Sequence, residues 1–242
     1  MRALFSFFTV LPVRGASLDG AARVVYLLPL VGIVTGLPGA VLLSTALFPP
    51  GVVSALALGA ALLAAGLHHA DGVLDVGDAL MARGSAERRR AVLRDTRVGI
   101  GGIGALFLVY APSLAALTAL STESPLRATL ALLAGEVAAR SAMVLVLAYG
   151  EPAEAGSSSV PFVKTLSGPR HALATVLALL APLPFLFPVH ALAPLVVLAA
   201  PLVALFSLRL SGTAFGGIGG DVVGATGEVC RAVVLVALSA TI

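Results

Sequence analysis

Three aspartates in the segment HHADGVLDVGDALMARG, Asp71, Asp75 and Asp78, stand at i, i+4 and i+7. At about 100° per residue, a helix carries Asp75 roughly 40° from Asp71 and Asp78 roughly 20° to its other side, so one narrow face holds all three carboxylates. His68 joins that face, and His69 points nearly opposite. Anions this close repel one another and raise each other's pKa unless a cation sits among them. Hard oxygen ligands suit Mg²⁺ or a similar ion, which keeps waters and often takes substrate phosphates as further ligands. Six arginines follow, from Arg83 through Arg88, Arg89, Arg90 and Arg94 to Arg97, and guanidinium forks match phosphate oxygens. Asp95 lies among them. The stretch closes on Gly99, Gly101, Gly102 and Gly104 at the start of an apolar helix, where free N–H groups and the helix dipole favour an anion. Together these features read as handling of a phosphate ester or pyrophosphate. The alternative is a solvated loop whose arginines only set membrane orientation.

The elements that must position these groups are membrane helices. The chain has 242 residues, of which 59% are hydrophobic and only 11% charged, against about 25% charged in a soluble domain. Mean hydropathy is +1.06. This is the composition of an all-α, polytopic integral membrane protein, since a lipid-exposed backbone must satisfy its own hydrogen bonds. Trp is absent, although membrane-interface belts normally use it. No aromatic-interleaved basic patch points to nucleic acid. The single Cys230 allows no intrachain disulfide.

Seven spans are expected in one domain, residues 1–242. Residues 1–14 are too short to span and carry no small-residue cleavage site. They read as an interfacial segment, with Phe5, Phe7 and Phe8 in lipid and Arg2 and Arg14 at the headgroups. The spans run over about 24–48, 52–67, 103–120, 126–149, two within 171–208 turning near 187–190, and 222–240. Glu136 and Arg140 fall at helical i, i+4 spacing near mid-membrane, where charges usually face the protein interior. They form either a neutralised structural pair or a wall of a substrate cavity, with Arg140 as the contact. Residues 150–170 form a second polar loop, in which Ser157, Ser158, Ser159 and Lys164 either grip a ligand or simply link. Residues 209–228 form a third, with Asp221 behind a glycine run that ends at Gly220. Asp221 either completes the metal site or is solvated on a hinge. Seven spans put the N-terminus, residues 68–98, 150–170 and 209–221 on one side, with nearly all the loop Lys and Arg. The positive-inside rule makes that side cytoplasmic.

These stretches resemble the cobalamin synthase family, the adenosylcobinamide-GDP ribazoletransferases. HADGVLDVGDALMARG is similar to the family's H-x-D-G-x-x-D-x-x-D core, LRDTRVGIGGIGAL to its basic-Asp-x-Arg-x-Gly-x-x-Gly segment, and FGGIGGDVVGATGE to its G-G-x-x-G-D-x-x-G-A-x-x-E motif. FFTVLPV and PLVGIVTG resemble its N-terminal motifs. The likeness covers most of the chain in consistent order. It implies an integral membrane enzyme needing Mg²⁺. Its substrates would be adenosylcobinamide-GDP and α-ribazole or the 5′-phosphate of α-ribazole, with release of GMP. On that likeness Asp71, Asp75 and Asp78 hold Mg²⁺. Asp95 or Asp221 adds a ligand or takes the proton. Arg94, Arg97 and Arg140 neutralise charge, and His69, Gly99, Gly102 and Gly220 contact substrate. Arg94 stands where many relatives carry Lys, and Gly219 where Thr is common. The matching histidine is His69, whereas the helical wheel favours His68. Two rivals remain. A CDP-alcohol phosphotransferase of phospholipid synthesis would show Ala-Arg where this chain has Asp75-Val76. An ion or metabolite transporter would place its carboxylates near the midplane on broken helices.

Overall fold

Prolines open many of the helices. Pro29, Pro50, Pro125, Pro161 and Pro169 each sit in a first turn, where a missing N–H has no intrahelical partner to lose. The computed structural model describes residues 1–13 and 17–241, so Arg14 lies outside the described residues. In chain order the helices are α1 (Arg2–Phe8), α2 (Leu18–Ala22), α3 (Leu28–Thr45), α4 (Pro50–Ala64), α5 (His68–Met81), α6 (Ala86–Leu93) and α7 (Ile100–Glu123). They continue with α8 (Pro125–Tyr149), α9 (Val160–Thr165), α10 (Pro169–Leu180), α11 (Leu183–Leu186), α12 (Ala199–Phe215) and α13 (Gly220–Ser239).

Among the described residues, six segments are long and apolar enough to cross a membrane: Val25–Thr45, Ile100–Glu123, Pro125–Tyr149, Pro169–Leu186, Ala193–Phe215 and Gly220–Ser239. The helix pair α4 and α5 stands where a seventh is expected, but it is bent by 94°. Gly66 (φ 83) and Leu67 (φ 62) make the bend. Two successive left-handed residues end a helix sharply, and glycine takes the first at no steric cost. The expected second span therefore stops at Ala64, and the acidic stretch is a regular helix rather than a loop.

The central helix is α8, buried along nearly its whole length and packed chiefly on α3 and α13. Small residues permit the close approach that drives association in lipid. A Cβ on Gly32 of α3 would lie 2.5 Å from the Glu136 carbonyl of α8, which explains the glycine-rich first span. Leucines and phenylalanines on the outward faces of α7 and α12 (Phe107, Leu108, Leu202, Phe206) stay exposed, as lipid-facing surfaces do.

The same end of the bundle gathers the three polar segments. Arg90 of α6 donates to the Phe215 carbonyl at 2.7 Å and pairs with Glu154 at 3.1 Å. Pro152 and Ile218 form a parallel bridge. The segments expected on one face from span counting thus touch one another directly.

Candidate active site

The acidic helix is held by glycines. A Cβ on Gly72 would lie 2.7 Å from the Asp221 carbonyl oxygen, and one on Gly77 would lie 2.5 Å from Ala105. The α5 helix therefore lies directly on the first turn of α13 and the first turns of α7. Asp71 and Asp221 become neighbours through the Gly72 contact.

The three aspartates of the face part company in the fold. Both oxygens of Asp78 accept backbone hydrogen bonds, Oδ2 from Gly99 N at 2.7 Å and Oδ1 from Gly102 N at 2.8 Å. Asp78 thereby caps α7, a favourable place for a carboxylate. This corrects the expectation for Gly99 and Gly102, whose amides are given to Asp78 and not left free for phosphate. Asp71 is exposed and Asp75 partly buried. Burial, then the charges of Asp71, Asp221 and Asp78, push the Asp75 carboxyl up to about 6. Among the described residues no three His, Cys, Asp or Glu side chains converge on one point. The carboxylates lie close enough to feel one another without forming a closed cage.

Two cavities meet beside them. The larger, about 430 Å³, is walled by Phe7, Phe8, Phe162, His68, His69 and Gly224, among others. The smaller, about 290 Å³, is lined by Arg90, Arg94, Glu154, Ser157 and the Gly217–Gly220 backbone. Ser158, Gly220 and Asp221 line both. Phe8 is buried, and its ring packs on Phe7 (5.0 Å) and Phe162 (5.9 Å). Both line the cavity; Phe8 is enclosed there and not in lipid, while Phe7 keeps an exposed face, because the side chains of α1 pack onto Phe162 of α9 and His69 of α5.

The arginines divide by partner. Arg94 is paired with Glu154 at the mouth of the smaller cavity. Arg97 is exposed and forks onto Asp95, with contacts of 2.7 and 3.0 Å. Hydrogen bonds from Arg97 hold the Asp95 carboxyl down at about 2. Asp95 and Arg97 thus staple their own loop, and neither lines the two cavities.

Arg140 lies deeper. It is fully buried and ion-paired with Glu136 at 2.7 Å. Glu136 also accepts from Thr35 at 2.7 Å and Arg231 at 2.8 Å, while Arg231 pairs with Glu228 as well. Tyr110 donates to Glu228 at 2.8 Å. Two arginines and two glutamates form a neutral buried network joining α3, α7, α8 and α13, the arrangement that makes intramembrane charge tolerable. Of the two roles open to Arg140, the structure gives the paired one; it is not on the walls of either cavity. His69 reaches this network, with Nδ1 4.0 Å from Glu228. His68 is exposed on the cavity side, so the wheel and the motif each pick a histidine that lines the same cavity.

Sequence reasoning gave no role to Glu228, which closes the FGGIGGDVVGATGE motif, and missed Arg231, although their i, i+3 spacing in an apolar span resembles the i, i+4 signal that marked Glu136 and Arg140. It also missed Phe162, for which no local signal exists.

The sequence pattern of the family described as cobalamin-5-phosphate synthase matches residues 1–239. The chain belongs to that family. The adenosylcobinamide-GDP ribazoletransferase of Methanococcoides burtonii is 34% identical over all of this chain and 92% of its own length. Proteins of the same name from Azorhizobium caulinodans and Pyrobaculum calidifontis are 35% and 38% identical, covering 95% and 98% of this chain and 90% and 97% of their own. No solved structure matches the chain significantly. Within this cobalamin synthase family member, the H-x-D-G-x-x-D-x-x-D and G-D-x-x-G-A-x-x-E motifs are the two helices, α5 and α13, that pack face to face through Gly72 and Gly224.

Proposed function

We propose that the chain is an adenosylcobinamide-GDP ribazoletransferase of the cell membrane, acting on the cytoplasmic side in cobalamin synthesis. One observation carries the mechanism. The α5 helix sets Asp71 and Asp75 against Asp221 beside a cleft lined by Arg90, Arg94 and glycine backbone. The bundle end that holds this cleft also carries most of the loop Lys and Arg, the mark of a cytoplasmic face.

Mg²⁺ usually binds through one or two carboxylates, waters and substrate phosphates, not a closed protein cage. Asp71 and Asp75 line neither cavity themselves, but they repel one another beside Asp221, which lines both; the pair fits that mode and would hold the ion. When bound there, Mg²⁺ would neutralise charge on the pyrophosphate. Asp78 positions the helix by capping α7. Arg90 and Arg94, both paired with the exposed Glu154, neutralise the phosphates of the leaving nucleotide. In the transfer, a ribose hydroxyl of α-ribazole, or of its 5′-phosphate, bonds to the cobinamide-side phosphorus. The bond from that phosphorus to the bridging oxygen breaks, and GMP leaves with that oxygen. Asp221, which lines both cavities, takes the hydroxyl proton. Alignment of the two substrates accounts for much of the rate.

The test is GMP release by purified protein from adenosylcobinamide-GDP and α-ribazole, with Mg²⁺ and with EDTA, alongside Asp75→Asn. Release that needs Mg²⁺ and falls sharply in Asp75→Asn is the expected result. CMP formed from a CDP-alcohol, with no GMP from the corrinoid, would overturn the substrate assignment. Silence with both substrates would overturn the enzymatic reading.

A further inference from the structure

We propose that the cavity walled by Phe7, Phe8 and Phe162 seats the aromatic base of the acceptor nucleoside. The inference rests on the transferase reading and adds to it the subsite that separates acceptor from donor. Three rings from two distant parts of the chain converge there: Phe7 lies 5.5 Å from Phe162, Phe8 lies 5.9 Å from Phe162, and Phe7 lies 5.0 Å from Phe8. They line a space of about 430 Å³. Pockets of roughly 300–1,000 Å³ bury small ligands. A nucleoside fits that volume, and a corrin macrocycle with its amide arms does not.

Chemistry chooses between the two bases present in the reaction. Guanine carries an exocyclic amine and a carbonyl that must find partners when buried. The benzimidazole-type base of ribazole carries neither; its single acceptor is a ring nitrogen, and its benzo rim is apolar. The cavity wall is mostly apolar, with Met143, Leu147 and Val223 beside the phenylalanines. It therefore suits the ribazole base. Ser6, His68, His69 and Ser159 add polar groups to the wall, and Ser158, Gly220 and Asp221 form the side shared with the arginine cleft. A base stacked on Phe7, which Phe8 and Phe162 back from behind, directs its ribose toward that junction. There the hydroxyl meets Asp221 on one side and the donor's pyrophosphate on the other. The geometry thus gives each substrate its own cavity and makes Asp221 the boundary. The donor's corrinoid is left at the open end, toward the membrane surface.

Phe7 is 44% exposed, so its truncation leaves the fold intact, whereas Phe162 is buried. Phe7→Ala is expected to raise the KM for α-ribazole about 10-fold, the scale of losing one stacked aromatic contact. The KM for adenosylcobinamide-GDP and the kcat should stay within about 2-fold, and Phe7→Tyr should restore the ribazole KM. A rise in the donor KM with the ribazole KM unchanged would overturn the assignment and put the donor in the cavity. No change in either KM would also overturn it. Equilibrium dialysis of radiolabelled α-ribazole against the detergent-solubilised protein, with EDTA and no donor, separates this inference from the transferase reading. Should the wild type release no GMP, the transferase reading fails, and dialysis decides the subsite alone. Weaker ribazole binding in Phe7→Ala would then support it, and equal or absent binding would overturn it.

Discussion

Asp78 accepts the amide hydrogens of Gly99 and Gly102 through both carboxylate oxygens, at 2.7 and 2.8 Å. One aspartate of the acidic helix is therefore spent on fixing the start of α7, and the chemistry falls to its neighbours. Removing an N-cap acceptor costs about 0.5–2 kcal/mol. Asp78→Ala should lower the midpoint of thermal unfolding in detergent, while Asp75→Asn should leave it near wild type. The Mg²⁺ concentration for half-maximal activity should rise in Asp75→Asn and change little in Asp78→Asn, which keeps one acceptor oxygen. Equal shifts in both would return Asp78 to the ligand set.

Gly72 lets α5 rest on Asp221. An added methyl would lie 2.7 Å from a backbone oxygen that has no flexible tip to move. Overpacking of this kind costs typically 1–3 kcal/mol. Gly72→Ala should therefore destabilise the protein and move Asp71 off Asp221, with activity falling on the order of 100-fold, as a misplacement of about 1 Å does. Gly104→Ala, at a site with nothing within 4 Å of the new atom, is the control that should stay active.

The buried network behaves as a unit. Removing one member leaves an uncompensated charge, which costs about 3–5 kcal/mol. Arg231→Met should destabilise strongly, because Glu136 and Glu228 both lose a partner. Arg231→Met with Glu228→Gln should recover part of that loss, since only Glu136 then remains charged, and it keeps Arg140. Thermal unfolding of the two single variants and the double variant measures the coupling. Additive effects would show that the pairs act independently.

Arg94 and Arg97 should separate in kinetics. Arg94 stands at the mouth of the arginine cleft, held by Glu154. Arg97 is 87% exposed and paired with Asp95. Arg94→Ala should raise the KM for adenosylcobinamide-GDP about 10-fold, the loss of about 1.4 kcal/mol, and Arg97→Ala should change it less than 2-fold. Glu154→Gln should lower that KM, because it releases Arg94 toward phosphate. Added salt should raise the KM in wild type and have less effect in Arg94→Ala.

Much of this protein is written in local pattern. Long apolar runs fix the membrane spans because a backbone in lipid can satisfy itself only as helix. The parity of those spans brings the three polar segments to one face, and the contacts of Arg90 with Glu154 and Phe215 bear that out. The i, i+4, i+7 aspartates mark α5 because helical periodicity is local. The cobalamin synthase motifs are equally legible, being short and ordered along the chain.

Partnership is what the tertiary structure alone decided. A helical wheel gives the direction of Asp78 and cannot say that α7 begins beneath it. Nor does it show that Arg140 is enclosed by Glu136 and a helix a hundred residues away, or that Asp95 has Arg97 for itself. The 94° turn at Gly66 and Leu67 sets the acidic helix against α7 and α13 instead of leaving it in line with α4, and only then do Asp71 and Asp221 meet. Phe7 and Phe162 reach one cavity through a contact 155 residues apart in sequence. Such distant contacts depend on which small residues let which helices approach, and close packing is a property of the assembled bundle, not of any single segment.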